Sequence, residues 1–91
     1  MAESLTVRRK RLRYASHYRG IKESDLIFGR FAERHLDSMG EAELDQYEAL
    51  LAEGDQDLYA WITGKVPVPH KHDHELFRKI QHFDVAGHAK L

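Results

Sequence analysis

Gly20, Gly40, Gly54 and Gly64 divide this chain into five segments whose apolar residues recur at helical spacing, and that punctuation limits the fold more than any other feature. No segment alternates apolar and polar residues for long enough to build a strand. Val, Ile and Thr together number ten, too few to feed a sheet. The 91 residues therefore read as one all-α domain, a small five-helix bundle spanning 1–91. The connections are short, so successive helices are expected to pack as neighbours.

The first helix is expected over 7–19, with Leu12 and Ala15 inward, ending at Gly20. The second starts from Ser24 as N-cap and carries Leu26, Ile27, Phe31 and Leu36. Gly29 interrupts it, either because another helix approaches closely or as a tolerated imperfection. The third, over 41–53, turns Leu44, Tyr47, Leu50 and Leu51 to one side. Asp55 then caps a short fourth helix with Leu58, Trp61 and Ile62, which stops at Gly64. Two prolines make 65–69 an extended connector. The fifth helix, over 72–83, buries Leu76, Phe77, Ile80 and Phe83, and residues 1–6 and 84–91 are expected to fray.

Composition narrows the class further. A hydrophobic share of 42% with one Trp, four Tyr and four Phe supports a modest core and excludes a disordered chain. The chain has no Cys, which removes a disulfide framework, thiolate metal sites and Cys nucleophiles. No apolar run reaches the roughly 18 to 20 residues a membrane span needs. Met1 to Ser4 leads straight into basic residues, so the chain is expected to be soluble and unexported. The net charge of −1 conceals an uneven distribution: +5 over residues 1–30, −8 over 31–60 and +2 over 61–91. A basic head and an acidic middle either orient a protein partner or let the helices attract one another.

Catalytic signatures are absent: the sequence contains no nucleophile elbow, phosphate-cradling loop, dinucleotide fingerprint or His-Glu-x-x-His. An enzyme is not expected and no catalytic residue is assigned. Glu41, Glu43, Asp45 and Glu48 read as a solvated helix face. His70, His72 and His74 read as a polar helix start, because His at i and i+4 on one helix would need it to begin too close to Pro69; no metal site is assigned. The run Arg8-Arg9-Lys10-Arg11-Leu12-Arg13-Tyr14, with Tyr18 and Arg19 behind it, suits a solvated face, a protein partner or a phosphate backbone. A basic-helix nucleic-acid or regulatory module is the alternative function. A sequence pI near 6.6 and the acidic third helix weigh against nucleic acid.

Arg19-Gly20-Ile21-Lys22-Glu23 draws most interest. A left-handed Gly20 would make a tight corner from which Arg19 and Glu23 project a cation and an anion side by side. The plainer reading is that Arg19 satisfies a helix C-terminus while Glu23 and Asp25 satisfy an N-terminus. Spacing alone leaves both open.

Arg11-Leu12-Arg13-Tyr14 with Ser16, then Arg19-Gly20-x-x-Glu23-x-Asp25, Phe31, Leu36, Tyr47, Leu50-Leu51 and Asp55-x-Asp57-Leu58-x-x-Trp61 form an ordered series. In order and spacing it resembles the succinate dehydrogenase assembly factor 2 proteins, whose bacterial members are the SdhE flavinylation factors. The resemblance covers about residues 8–64. It implies a five-helix chaperone that binds the flavoprotein subunit of succinate dehydrogenase, and in bacteria sometimes fumarate reductase. Such a chaperone promotes covalent attachment of FAD, through a His of the flavoprotein, by favouring a competent conformation. Arg19, Gly20 and Glu23 would meet the flavoprotein near its FAD, with Asp25 and Arg11 as supports. The chain is further expected to hold no cofactor tightly of its own, to have no nucleic-acid or membrane partner and to be a monomer when free. A direct FAD carrier is disfavoured, since the chain has no dinucleotide fold and little volume for so large a ligand. The N-terminal arginines fall inside the matched helix, so a bacterial cytoplasm is expected rather than a mitochondrial matrix.

Overall fold

Ile27, Phe28, Phe31 and Ala32 share one helical face and are each at most 3% exposed, and the other elements gather around them. The computed structural model describes the backbone of residues 3–19 and 22–88 and the side chains of 3–19 and 25–83. Five helices follow in order: α1 (Leu5–His17), α2 (Lys22–His35), α3 (Glu41–Leu51), α4 (Asp55–Ile62) and α5 (Glu75–His88). Single 3-10 turns occupy Leu36–Ser38 and His70–His72, and no strand occurs among the described residues. The all-α expectation holds. α2 is central, packing on α1, α4 and α5, while α1 and α5 also touch α3. No described helix is long and apolar enough to cross a membrane.

Most of the residues expected inward are buried: Leu12, Leu44, Tyr47, Leu50, Leu58, Ile62, Leu76, Phe77 and Ile80 are core, with Trp61 at its edge, while Ala15, Leu26, Leu51 and Phe83 are only half-buried. Phe28, Ala32, Met39 and Ser16 are also buried, although periodicity did not single them out. Ser16 is inside because Tyr47 is. Its hydroxyl donates to the Leu12 carbonyl at 2.7 Å, so the 2.6 Å contact with the Tyr47 hydroxyl must use the tyrosine's proton. The resulting chain, Tyr47 to Ser16 to Leu12, ties α3 to α1 without an orphaned polar group. Burial pushes the Tyr47 phenol up, which keeps that proton in place.

Helix ends differ from expectation in ways that local chemistry explains. α1 starts earlier, at Leu5, because Ser4 accepts a hydrogen bond from the Val7 amide at 3.2 Å. α2 starts at Lys22, so Ser24 lies inside the helix and is not its N-cap. Gly40 and Gly54 do not close helices in a left-handed conformation: both have extended backbone and are the N-caps of α3 and α4, so Asp55 is the first helical residue rather than the cap. Gly64 does close α4, at φ +81. The Gly64 amide reaches the Trp61 carbonyl at 3.2 Å and the Lys65 amide reaches the Ala60 carbonyl at 2.9 Å, the paired bonds of a Schellman motif. Gly29 marks a close approach: a Cβ there would lie 2.7 Å from Nδ1 of His17 on α1.

α5 begins at Glu75 rather than His72, because His70–His72 forms its own turn and Asp73 leaves helical geometry at ψ 75. His74 caps α5, its Nδ1 accepting from the Phe77 amide at 3.1 Å. At the other end the helix runs on to His88, beyond the expected stop at Phe83; with no proline in the way, extending an existing helix is easy. Residues 1, 2 and 89–91 of the segments expected to fray lie outside the described residues.

Two measurements test this packing. Trp61 is 9% exposed and its ring packs on His72, with centroids 5.7 Å apart. Trp61→Ala should lower stability by about 3 to 5 kcal/mol in a urea titration, and a loss below about 1 kcal/mol would mean the indole is not a core group. Burial of its ring, with the neighbouring His72 adding to it, lowers the His74 pKa below the usual 6.5. The folded state thus favours the neutral imidazole that caps α5. That stability is complete above pH 6.5 and is lost as the pH falls through the lower folded value. His74→Asn caps without titrating, so the advantage of wild type over this variant should shrink between pH 7 and pH 5. An equal difference at both pH values would contradict the capping role.

Candidate functional site

The α1–α2 connection carries the residues singled out by sequence, and the geometry there is set by Arg19. α1 ends with Tyr18 as its C-cap at φ −128 and ψ 62. The Arg19 amide then donates to Oδ1 of Asp25, in the first turn of α2, at 2.5 Å. A carboxylate at that position also meets the positive end of the helix dipole. Asp25 therefore holds the corner from the α2 side.

The Arg19 side chain turns inward, with only 8% of its surface exposed. Its Nε donates to Oδ1 of Asp55 at 2.8 Å, one Nη to the Leu51 carbonyl and the other to the Glu53 carbonyl at 2.9 Å. The guanidinium also lies over the Phe28 ring, 5.6 Å from its centroid. Leu51 and Glu53 sit where α3 has run out of amide donors, so the planar fork of an arginine closes that end. Of the two readings open for Arg19 the geometry matches the plainer one, a satisfied helix C-terminus, but that of α3 rather than the expected α1. Gly20 lies outside the described residues, and Glu23 is placed in the first turn of α2 without its side chain being described.

Arg11 is elsewhere. It stands eight residues before Arg19, about 12 Å along the helix axis, and binds Glu3 through Nε at 2.9 Å and Glu48 at 3.0 Å. Two more arginines of the basic stretch are paired with acids: Arg8 with Asp45 at 2.7 Å and Glu48 at 2.9 Å, and Arg13 with Asp37 at 2.8 Å. Arg11 beside Glu48, with Arg8 adding to it, holds that carboxyl below the usual range. The basic head and the acidic middle thus neutralise each other across the α1–α3 contact, which leaves less positive field for a polyanion.

The histidine segment is structural. His72 is buried against Trp61, with Nε2 2.7 Å from a Glu53 carboxylate oxygen, and Lys71 meets the same oxygen at 3.0 Å. His74 caps α5. Among the described residues no group of three or more His, Asp or Glu could hold a metal ion. An open cleft of about 590 Å³ lies at the far end of α2, lined by His35, Glu75, Arg78, Lys79, His82 and Phe83. Its cations have partners, Arg78 with Asp73 at 3.0 Å and Lys79 with Glu43 at 3.6 Å.

Sequence reasoning missed two features of the corner. The Arg19–Asp55 pair was signalled only by an acid directly after the Gly54 break. The second feature is exposure: Tyr14 and Tyr18 are 68% and 69% exposed, with ring centroids 4.6 Å apart.

Comparison with known proteins places the sequence in a family. A family model described as the flavinator of succinate dehydrogenase matches residues 10–84, which carries the likeness well past residue 64. The chain is 46% identical to the mitochondrial succinate dehydrogenase assembly factor 2 of Candida glabrata, over 98% of this chain and 61% of that protein. It is 42% identical to the protein of the same name from Meyerozyma guilliermondii, over 87% of this chain and 62% of the relative. With that from Danio rerio it shares 36%, over 89% and 52%. The chain thus spans between about half and three fifths of the length of these curated relatives. All three relatives are eukaryotic and named as mitochondrial, which overturns the expectation of a bacterial cytoplasm. Their names describe assembly factors, not enzymes. With most of its length matched by the model, the chain belongs to the family of succinate dehydrogenase flavinators.

Proposed function

We propose that this chain is a mitochondrial assembly factor that binds the flavoprotein subunit of succinate dehydrogenase and promotes covalent attachment of FAD to it. The observation that carries this reading is the family match over residues 10–84, which includes the Arg19–Asp25 corner. FAD is here the partner's group and not a cofactor held by this chain. The chain needs no catalytic group for the task. A partner that binds the reactive arrangement of flavin and flavoprotein more tightly than the others raises its population, and one with equal affinity for all of them changes nothing.

Within the corner the roles divide. Gly20 and Glu23 are the contact residues of the reading. Arg19 acts as a positioning residue, since its guanidinium is occupied inside the fold. Asp25 holds the corner from the α2 side, and Arg11 supports it at a distance by fastening α1 to α3.

The direct test is covalent flavin on a co-expressed succinate dehydrogenase flavoprotein, read as fluorescence in a denaturing gel. Attachment should depend on the wild-type chain and fall at least several-fold with a folded Glu23→Ala variant. Equal attachment with wild type, with the variant and with no assembly factor would remove this client. Arg19→Ala should behave differently, lowering stability by about 3 to 5 kcal/mol because Asp55 and two helix-end carbonyls lose their partner in a half-buried site. A variant as stable as wild type in urea would show that the clamp is dispensable to the fold.

A further inference from the structure

α1 is apolar on two faces, and only one of them is used. Leu12 and Ser16 are buried, whereas Val7 and Tyr14 are 54% and 68% exposed. At about 100° per residue, Val7, Lys10 and Tyr14 fall within roughly 60° of one another and point away from Leu12 and Ser16. Tyr18, which closes the helix, lays its ring against Tyr14 and extends the stripe to the residue before Arg19. Val7, Tyr14 and Tyr18 are three of the five large apolar side chains that the described residues leave exposed.

The charge of this stripe has one sign. α1 contains no acidic residue. Asp37, Asp45 and Glu48 are drawn to Arg13, Arg8 and Arg11, and Glu33 to His17. Arg11 borders the stripe but is neutralised by Glu3 and Glu48. Lys10 is exposed and makes no ion pair among the described residues. The surface is therefore a short strip of aliphatic and phenolic area with an uncompensated cation toward one end. Tyrosines of this kind recur as interface anchors, having large area and few rotatable bonds, and two rings already in contact lose little further freedom on docking.

We propose that the stripe Val7, Lys10, Tyr14 and Tyr18 is a docking strip for an acidic, partly apolar surface of the flavoprotein subunit, continuous with the Arg19 corner. The assignment rests on the functional reading above. The corner supplies the contact near the flavin, and the strip supplies area and orientation: Tyr14 and Tyr18 bury themselves against the partner while Lys10 steers it.

The test measures binding of the full chain to the purified flavoprotein subunit by calorimetry and stopped flow. It compares wild type, Tyr14→Ala/Tyr18→Ala and Lys10→Glu, each checked by circular dichroism and sedimentation. The double tyrosine variant should remain helical and monomeric and bind about 30-fold or more weakly, the effect of losing one central anchor or more. Lys10→Glu, at an exposed site that leaves the fold intact, should slow association several-fold at low salt, and less at high salt. Tight binding by wild type with no loss in either variant would overturn the strip and leave the flavoprotein reading standing. No binding by wild type would overturn both. Self-association of wild type that the tyrosine variant abolishes, with flavoprotein binding unchanged, would assign the strip to a second copy of this chain and overturn the proposal.

Discussion

One guanidinium stands where four helix ends meet. Arg19 follows the last turn of α1, its amide is held by Asp25 in the first turn of α2, and its side chain closes α3 at Leu51 and Glu53 while pairing with Asp55 at the start of α4. Two connections distant in sequence are thereby fixed against each other by a single residue. Burying an arginine is unfavourable unless its donors are matched. Here carbonyls that α3 cannot satisfy accept from it and a carboxylate offsets its charge, so each group resolves the other's deficit. The geometry of the corner is a by-product of that match.

The rest of α1 is fastened by different physics. In the interior, the proton chain from Tyr47 through Ser16 to Leu12 ties it to α3 in a place where an unpaired hydroxyl would be penalised. At the rim, Arg8 and Arg11 reach across to Asp45 and Glu48, where exposed pairs are worth little each but share one carboxylate as a small network. The rim pairs weaken with salt and the interior chain does not. Orientation of α1 therefore depends chiefly on Ser16, Tyr47 and Arg19.

The apolar faces were legible in the sequence because burial of Leu44, Tyr47, Leu58 or Ile80 follows from helical period alone. Phe28 was not, since its neighbours Ile27 and Phe31 already define a face and its own position shows only when Tyr47 of α3 and the Arg19 cation lie against it. Helix boundaries were the weakest reading, for a physical reason: Gly40 and Gly54 suit an N-cap as well as a C-cap, and among the described residues only Gly64 has the positive φ that a left-handed stop requires. At the corner, the residues alone left two orientations of the Arg19 side chain open. Nothing local distinguishes an arginine that projects from one that folds back. The difference lies in Leu51, Glu53 and Asp55, more than 30 residues away.

That inward orientation also bears on how an assembly factor of this size could act. To raise the population of one arrangement of a client, a partner must bind the competing arrangements worse, so it must not deform to suit each of them. A bundle this small has little core with which to resist deformation. At the corner it resists by other means: Arg19 and Asp25 fix the connection from within, and the close approach of α1 and α2 at Gly29 and His17 leaves little room for the two helices to move toward each other. The groups that hold the corner are thus occupied inside the fold, while Tyr14, Tyr18 and Lys10 beside it stay exposed. On the proposed reading, shape is supplied by buried polar contacts and adhesion by exposed aromatic area. Substitutions in the two sets should then separate, one changing how firmly the corner is held and the other how tightly the client is bound.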